Sequence, residues 1–441
     1  MTPQKSRTEL DLSSQTLVLD NGAYHIKAGF SSDHPTYKEC RTFPNCIART
    51  RDKEILVGSE LAQCNDYGDI DFRRPVEKGY IVDWEGERAI WSRELEKGEI
   101  KCNPKETNLI LTEAPNGPQA LQTHSDQMIF EEFEFASAYR CIAPTLNAYN
   151  DTRSLFGDPQ APSLEALPAE VLLLVDTGYS HTTVTPLFHG RPAHNAIRRL
   201  NIAGKQISNL LSELISLRHF NVRDEPYIVD EIKEDACFVS TDFTHDIEAC
   251  WSGNSNRKDL DRSVVVDYVL PDYTNTYRGF VRPHDSSRAA ELRRLGLSTL
   301  DQPKEDFFPL GNERFGPPEL LFNPSDVGLS CEGVPGMIMQ SLSTLPEALR
   351  PGLLANIMVV GGCSLLPGFV ERLDMEVRKR VNSDFVVRVR RAEDPVRSTW
   401  LGGARLASNR SLLRQHVVTK QQYEENGAPW TARQFAGKRG R

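Results

Sequence analysis

The sequence lacks any hydrophobic run long enough to cross a membrane. Its longest apolar stretches have the length of strands, whereas a membrane-spanning helix needs about 20 predominantly apolar residues. The first ten residues, MTPQKSRTEL, also lack the apolar core of a signal peptide. We therefore expect neither a membrane span nor a signal peptide in this chain.

Cysteine is scarce and irregularly spaced. The 441 residues include nine cysteines, an odd number, and no two of them form a CxxC pair. Cys40 and Cys46 are the closest two, and no histidine accompanies them at a spacing typical of zinc sites. We expect reduced thiols in an intracellular protein, with disulfides or bound zinc as the alternative.

An excess of positive charge is also missing. The formal net charge is −9, which argues against a surface that binds nucleic acid as a whole. Residues 437–441 are nevertheless basic, and we favour a solvated chain end over contact with DNA or a nuclear address. With 39% apolar and 26% charged residues, the chain is long enough for two globular lobes.

Three turns that contain glycine each follow a short apolar run. They read LVLDNG at residues 17–22, LLLVDTG at 172–178 and IMVVGG at 357–362. The first two continue into a second β-rich run, so they look like two copies of one strand–Asp–Gly–strand unit. A single turn of this kind predicts only a hairpin. Two copies predict two similar halves that face each other across a cleft.

The paired turns carry residues that suit a polyphosphate ligand. Glycine lets backbone N–H groups approach a phosphate closely, and an aspartate at each strand end can hold a hydrated divalent cation. We therefore predict a phosphate clamp formed by Asp20, Gly22, Asp176 and Gly178. The alternative is that the glycines serve only the turns.

Longer motifs resemble the actin family. DNGAYHIKAGF at residues 20–30 and VDTGYSHTTVTPLFHG at 175–190 are similar to its two phosphate loops. The connecting segment of the family resembles RRPVEKGYIVDWEGERAIW at residues 73–91. Its adenosine-side motifs resemble IKEDACFV at 232–239 and VVGGCSLLPGFVERL at 359–373, and its last helix resembles WLGGARLAS at 400–408. The resemblance runs in order from about residue 16 to about residue 408. It implies an α/β fold of the actin/Hsp70/hexokinase-like ATPase class, with duplicated RNase H-like halves around a central nucleotide cleft.

Three further segments resemble one class within that family. They are VVVDYVLPDY at residues 264–273, RFGPPELLFNPSDVGL at 314–329 and VVTKQQYEENG at 417–427. They are similar to the sixth class of actin-related proteins, which is nuclear. The resemblance implies a subunit of a Swr-type chromatin remodelling complex, which exchanges a nucleosomal histone of the two-A class for its Z-type variant. It implies as partners the remodeller ATPase subunit, other complex subunits and the nucleosome, a role in transcription regulation and chromosome stability, and the nucleus, with the cytoplasm as a second location.

Eleven residues match nucleotide-binding positions of the family. The resemblance implies ATP or ADP with magnesium as the ligand, Asp20 and Asp176 as the aspartates that hold the metal through water, and Lys27 as the phosphate-contacting lysine. The alternative is a local role for each residue; Lys233, for example, would pair only with Glu234 or Glu231. The matching residues are Asp20, Asn21, Gly22, Lys27, Asp176, Gly178, Gly204, Lys233, Glu234, Gly361 and Gly362.

Other positions depart from the family's pattern. The water-orienting glutamine is replaced by Ala143, and the histidine on the water side by Thr183. A methyl group cannot orient a nucleophilic water, a function that is central to nucleotide hydrolysis. Bulk is added, or a polar group lost, in the two phosphate loops at Ala23, Tyr24, Tyr179 and Ser180. We therefore expect no catalytic residue and a cleft that hydrolyses ATP slowly or not at all.

The chain divides into lobes at changes in composition. We predict a disordered lead-in at residues 1–15, a first lobe at 16–168 with a reduced small subdomain at about 33–74, a second lobe at 169–400 with insertions at 251–262 and 282–311, and a C-terminal helix and basic tail at 401–441. We also predict helices at residues 137–149 and 198–218, and a final helix that begins near Trp400. A further helix at 286–295 is either a solvated surface helix or an element that docks a partner.

Three functions compete for this chain. The substitutions at Ala143 and Thr183, together with the insertions, favour a non-catalytic scaffold subunit. The retained Asp20, Asp176 and Lys27 favour an actin-like filament protein that binds ATP and hydrolyses it weakly, but the segment 33–74 is shorter than the actin region that pairs subunits in filaments. Because that segment is short, we expect no filament.

A small-molecule kinase of the same fold needs a catalytic base, and no aspartate has a distinctive spacing for that role.

Overall fold

Two central β-sheets of similar topology organise the chain. The computed structural model describes residues 12–64, 70–157, 168–250, 262–273, 276–285 and 306–436. Most of the expected lead-in, the predicted helix at 286–295 and the basic tail at 437–441 lie outside the described residues. We call the first sheet with the elements packed on it the first half, and the second sheet with its packed elements the second half.

The first sheet has six strands. Its two hairpin strands are antiparallel, and two further strands add parallel to the outer side of the first hairpin strand, as expected for buried strands of an α/β sheet. In spatial order the strands are Val418–Thr419, Ser137–Ile142, Thr107–Glu113, Gln15–Asn21, His25–Phe30 and Arg41–Pro44.

The second sheet repeats this arrangement. A hairpin again pairs antiparallel, and two strands again add parallel beside its first strand. In spatial order the strands are Arg191–Pro192, Thr182–Phe188, Val171–Thr177, Ile357–Val360 and Val389–Arg391, and Arg198–Leu200 also pairs with Thr182–Phe188. The two hairpins that the sequence predicts as copies are therefore equivalent elements of two halves, as the predicted fold class requires.

Within the part of the chain that the structure describes, three smaller sheets accompany the central pair. One lies in the second half and consists of Phe280–Pro283, Val266–Val269 and Phe307–Leu310. Two lie in the first half and consist of Ile55–Val57 with Ile47–Arg49 and Asp71–Arg73, and of Val76–Glu77 with Tyr80–Ile81. The ends of the expected insertion at 282–311 thus lie within the small sheet of the second half.

Helices cover the sheets. In the first half and its connection they are Trp84–Glu96, Gln119–Gln127, the π-helical turn Met128–Glu132, Ala143–Asn147 and Thr152–Phe156. In the second half they are Gly204–Arg218, Pro226–Ala236, Phe243–Cys250, Gly316–Glu319, Val334–Ser343, Arg350–Leu354 and Phe369–Arg378. The last four are Ser398–Ser408, Arg410–Leu413, Lys420–Asn426 and Ala428–Phe435. No helix of the described ranges is long and apolar enough to cross a membrane.

The helix Ser398–Ser408 packs closely beneath the first sheet. Its Trp400 is fully buried, and a Cβ added at Gly402 would lie only 2.0 Å from the carbonyl oxygen of Leu146. Only glycine allows the backbones of this helix and of the helix Ala143–Asn147 to approach so closely. Ala143, the first residue of the helix Ala143–Asn147, lines the space between the halves.

The predicted helix at residues 137–149 is wrong over its first part. Ser137–Ile142 forms a buried strand parallel to Thr107–Glu113, and only Ala143–Asn147 is helical. The run SAYRCI is buried on both faces, so it lacks the alternation that would have identified a strand. Pro144 stands in the first helical turn, where its missing N–H costs no hydrogen bond.

Two other predicted helices also differ from the structure. The segment 198–218 begins with the strand Arg198–Leu200, and its helix starts only at Gly204. The helix that contains Trp400 is not the final one, because three short helices follow it. The sequence signal was correct for the helical cores and wrong at their boundaries.

Candidate nucleotide cleft

A cavity of about 510 Å³ lies between the two halves. The first hairpin contributes one wall, the second hairpin and the Gly361–Gly362 turn contribute the other, and Ala143 and Pro144 lie at its floor. The structure brings together all eleven residues that the sequence predicts for a nucleotide site, namely Asp20, Asn21, Gly22, Lys27, Asp176, Gly178, Gly204, Lys233, Glu234, Gly361 and Gly362.

The first hairpin holds Asp20 in a defined position. Lys27 is its cross-strand partner, with Nζ 3.4 Å from the Asp20 Oδ2 atom. The Thr112 hydroxyl donates to Asp20 Oδ1 at 2.7 Å, and the backbone N–H of Asn21 donates to the same hydroxyl oxygen at 3.0 Å. The carboxylate and the ammonium are therefore preorganised at the edge of the cavity. Sequence reasoning did not find Thr112, because its strand joins the hairpin only in the folded sheet.

A buried glutamate supports this hairpin from behind. Glu87 accepts a hydrogen bond from Trp91 Nε1 at 3.0 Å, and the same indole N–H lies 3.3 Å from Asn21 Oδ1. Asn45 Nδ2 donates to the Gly22 carbonyl at 3.0 Å. Burial raises the pKa of Glu87 to about 7, against the effect of its hydrogen bonds.

The second hairpin places Asp176 in a different electrostatic setting. Its cross-strand partner is Thr183, an uncharged residue that is almost completely buried and does not line the cavity. Burial, and next the negative charge of Asp20, raise the pKa of Asp176 to about 6, and Lys27 opposes this effect. The two aspartates thus face one cavity, but only the first has a basic cross-strand partner.

Gly361 fits between the two turns of the second half. Its φ of +92° disfavours any residue with a side chain, and an added Cβ would lie 2.3 Å from the Thr177 carbonyl oxygen. At Gly362, by contrast, an added Cβ would meet no atom within 4 Å. The first of these glycines is therefore needed for the fold itself, while the second leaves room in the cavity.

On the other side of the cavity, Lys233 has a partner that sequence reasoning did not identify. Its Nζ lies 2.6 Å from Asp230 Oδ1 and 2.8 Å from Ser208 Oγ. The alternative in which Lys233 pairs only with Glu234 or Glu231 is therefore wrong, because its ion-pair partner is Asp230. Asp230 precedes Lys233 by three residues on the helix Pro226–Ala236, which places both side chains on one face. That spacing was the available signal.

Two tyrosines meet across the cavity. The ring centroids of Tyr24, on the first hairpin, and Tyr179, on the second, lie 4.6 Å apart with an interplanar angle of 41°. The Arg74 guanidinium lies 4.3 Å from the Tyr24 ring centroid and 5.5 Å from that of Tyr179. Lys233 Nζ lies 5.9 Å from the Tyr179 ring centroid. The sequence indicated added bulk at both positions, but not that the two rings touch.

The remaining departures from the family's pattern also have defined places. The Ser180 hydroxyl accepts a hydrogen bond from the Gly79 N–H at 2.9 Å, so it holds the turn at Gly79 of the first half. His181 lines the cavity, and burial lowers its pKa to about 3, which keeps the imidazole neutral. Ala23 and Ala143 present only methyl groups. Within the described ranges, no group of three or more His, Cys, Asp or Glu residues is arranged to hold a metal ion.

The cleft has the charged groups of a magnesium-nucleotide site on its phosphate side and an aromatic ring on its sugar side. Asp20, Asp176 and Lys27 offer two carboxylates and one ammonium, the groups that hold hydrated magnesium and phosphate. Near Gly204 and Lys233, where the resemblance places the adenosine and ribose, the Tyr179 ring packs against the glycine: a Cβ added at Gly204 would lie 3.4 Å from Tyr179 Cδ2. The side chain of Ala143 is a methyl group, so it cannot position an attacking water in the cleft.

Comparison with known proteins finds similar sequences over nearly the whole chain. The family described as Actin matches residues 11–436. The chain is 51% identical to "Actin-related protein 6" of Neurospora crassa over 96% of this chain and 94% of that protein. It is 46% identical to "Actin-like protein arp6" of Aspergillus fumigatus, over 97% and 96% of the two chains. It is 34% identical to "Actin-related protein 6" of Drosophila melanogaster, over 94% and 98%.

Proposed function

Because this chain belongs to the actin family, we propose that it is a non-catalytic structural subunit of a Swr-type chromatin remodelling complex. The observation that carries the proposal is the methyl group of Ala143, which lines the cleft at the position of the family's water-orienting glutamine. Without a polar group there, a nucleotide bound in the cleft would have no aligned attacking water.

Similarity to relatives supports the assignment to one class of the family. The proteins named Actin-related protein 6 or arp6 align with this chain over nearly the whole length of both partners. Following the class resemblance, we propose the remodeller ATPase subunit, other complex subunits and the nucleosome as partners. The exchanged histones are the two-A class and its Z-type variant, and the site of action is the nucleus, with the cytoplasm as a second location.

The architecture suits a structural role. We propose the division into a first lobe at residues 16–168, a second lobe at 169–400 and a C-terminal segment at 401–441 that returns to the first lobe. The pairing of Ser137–Ile142 with Val418–Thr419 supports this last assignment. The segments 251–262 and 282–311 are proposed to contact complex partners, because the sequence marks them as insertions into the actin-like pattern.

An actin-like filament protein that binds ATP and hydrolyses it weakly is the second candidate. The ion pair between Asp20 and Lys27 and the carboxylate of Asp176 favour it, since these groups suit a magnesium nucleotide. Against it stand the methyl group of Ala143 and the short segment 33–74. ATP or ADP with magnesium is the proposed ligand of the cleft in this second case; in the first case the cleft either holds a nucleotide without hydrolysing it or is empty.

The experiment that separates the two candidates measures three quantities on the purified full chain. We expect no ATP turnover above background at saturating magnesium, no nucleotide in the supernatant of the denatured protein, and no sedimentation as polymer in ATP and salt. Muscle actin, treated in parallel, provides the positive control for all three. Turnover at the level of actin would overturn the proposed function, and polymers would establish the second candidate.

A further inference from the structure

The two halves contact each other through side chains at the mouth of the cleft. Tyr24 belongs to the first hairpin, whereas Tyr179 belongs to the second, and their rings lie in contact at 4.6 Å. Arg74 follows the strand Asp71–Arg73 of the first half and lies against both rings. One cation and two aromatic faces therefore join elements that belong to different halves.

We propose that the Tyr24–Tyr179 pair, clamped by Arg74 and Lys233, permanently bridges the cleft and takes the place of the sugar of a nucleotide. The bridge holds the two halves in one closed arrangement that does not depend on ATP or ADP. This inference goes beyond the proposed function, which assigns a non-catalytic structural role and does not say what holds the two halves together.

The position of the rings supports the replacement of a sugar. Tyr179 packs on Gly204 and lies 5.9 Å from the Lys233 ammonium, two residues at adenosine- and ribose-side positions. The Tyr24 hydroxyl lies close enough to Asp230 and Glu234 for their charges to raise its pKa, after burial as the main cause. A polyhydroxylated sugar between these residues would have to displace both rings.

The chemistry of the clamp favours a closed state. Arg74 Nη1 also donates to the Tyr24 carbonyl at 3.2 Å, so the guanidinium is fixed to the first hairpin while it faces the second. A cation within about 6 Å of a ring centroid is attracted by the ring's quadrupole. Both rings are therefore held by positive charge, Tyr24 by Arg74 and Tyr179 by Arg74 and Lys233.

A second set of contacts lies beside the rings and joins the same two halves. Arg199 of the second half donates from Nη1 to the Tyr80 hydroxyl at 3.0 Å and from Nη2 to the Lys78 carbonyl. Its guanidinium also lies 4.7 Å from the Tyr80 ring centroid. The Gly79 N–H donates to Ser180. Opening of the cleft would break both sets of contacts, because each set joins a residue of the first half to a residue of the second.

The experiment restores the space that the rings fill. The double variant Tyr24→Gly/Tyr179→Asp carries the residue types found in the actin family at these positions. We expect the wild-type melting temperature to be unchanged by millimolar ATP and magnesium, whereas the double variant melts lower without ligand and gains about 2 °C or more with it. The conservative variant Tyr24→Phe/Tyr179→Phe keeps both rings and should respond like the wild type.

Each result decides the proposal. A wild-type protein that ATP stabilises, without turnover, overturns the bridge and leaves the non-catalytic proposal intact; turnover by the wild type overturns both. A folded double variant that gains no response to ATP also refutes the bridge. If the double variant does not fold, hydrogen exchange of residues 176–181 in the wild type decides: protection that increases on addition of ATP contradicts a permanent bridge, and unchanged protection supports it.

Discussion

Asp20 and Lys27 are cross-strand partners in the first hairpin, and their charged groups lie 3.4 Å apart. The equivalent pair in the second hairpin is Asp176 and Thr183. The two halves therefore repeat the backbone of one unit, but not its electrostatics. Asp20 has an opposite charge as its cross-strand partner, while Asp176 has an uncharged one and feels the like charge of Asp20 more strongly than the opposing charge of Lys27.

This asymmetry predicts opposite effects of the same substitution in the two hairpins. The pKa of Asp176 is about 6 in the folded protein and near 3.8 in the unfolded chain, so the native state holds the proton more tightly. Stability is therefore lost as the pH rises from about 4 to about 6, by at most about 3 kcal/mol. Asp176→Asn should remove this loss, so it should stabilise the protein clearly more at pH 7.5 than at pH 4.5, where most of the loss has not yet developed.

Asp20→Asn is the matched control. At pH 7.5 it removes the partner of Lys27 and should lower the free energy of unfolding by about 1–2 kcal/mol. Denaturant unfolding at both pH values measures both variants. Stabilisation by Asp20→Asn, or destabilisation by Asp176→Asn at pH 7.5, would contradict the assignment of the two environments.

The adjacent glycines of the third turn should respond differently to alanine. Gly361→Ala introduces a side chain at a φ of +92° and against the Thr177 carbonyl, so we expect a loss of more than about 3 kcal/mol or no folded protein. Gly362→Ala meets no atom within 4 Å and should change stability by less than about 0.5 kcal/mol. Thermal unfolding of both variants checks this, and equal effects would refute the packing argument.

The contacts beside the cleft make a specific prediction for two neighbouring arginines. Arg199→Ala removes the hydrogen bonds to Tyr80 and Lys78, which belong to the other half. Arg198→Ala removes hydrogen bonds to carbonyls of its own half, those of Asn195, Ile197 and Gln340.

Hydrogen exchange distinguishes their effects. Arg199→Ala should increase exchange in residues 76–81 by about tenfold, which corresponds to about 1.4 kcal/mol of lost protection. Arg198→Ala should leave that segment at the wild-type rate. Similar exchange of the segment in both variants would mean that Arg199 does not hold the halves together.

Restoration of the missing glutamine should not restore hydrolysis alone. Ala143→Gln provides a polar group at the cleft floor, but Tyr24 and Tyr179 still fill the sugar side. We expect phosphate release at background. Added to Tyr24→Gly/Tyr179→Asp, the same change should raise turnover about tenfold or more, because an aligned water then meets a bound nucleotide. Ala143→Met has a similar size without the polar group, and turnover in that background would argue against water orientation.

The proposed partner contacts can be tested with deletions that leave the fold intact. The strand Phe307–Leu310 contains the buried Phe308 and Leu310, so removal of the whole segment 282–311 would damage the small sheet of the second half. Replacement of residues 252–261 and 286–305 by short Gly-Ser linkers avoids this damage. We expect affinity purification from nuclear extract to recover fewer complex subunits. Full recovery with both deletions would refute the proposed contacts.

Local patterns predicted the parts of the cleft that depend on neighbouring residues. Both hairpins and the turn at Gly361 follow from short motifs, the eleven candidate residues follow from the resemblance to the actin family, and the structure gathers them around one cavity. The strand Ser137–Ile142 was missed because it is buried on both faces and carries no alternation. Its assignment depends on the strands that flank it in the sheet, which sequence periodicity cannot indicate.

Contacts between distant residues could not be predicted from the sequence. Tyr24 and Tyr179 were each recognised as bulky replacements, yet their contact depends on how closely the two halves approach. The sequence did not indicate the contacts of Arg74 or Arg199, because their partners are distant in the sequence. Arg74 contacts Tyr24 and Tyr179 of the two hairpins, and Arg199 contacts Lys78 and Tyr80 of the other half. The pairing of Lys233 with Asp230 could be predicted from their spacing of three residues on a helix, but Glu231 and Glu234 are nearer in the sequence and were considered instead.

The strand Val418–Thr419, which completes the first sheet, affects how the protein folds during synthesis. Thr419 pairs with Ser137 at the edge of the first sheet, and the Tyr423 ring stacks on Phe130 with centroids 4.7 Å apart. A nascent chain on the ribosome therefore carries an incomplete first sheet until residues 418–419 emerge. The exposed edge strand is meanwhile a template for pairing with other chains, so early termination of translation yields a protein prone to aggregation.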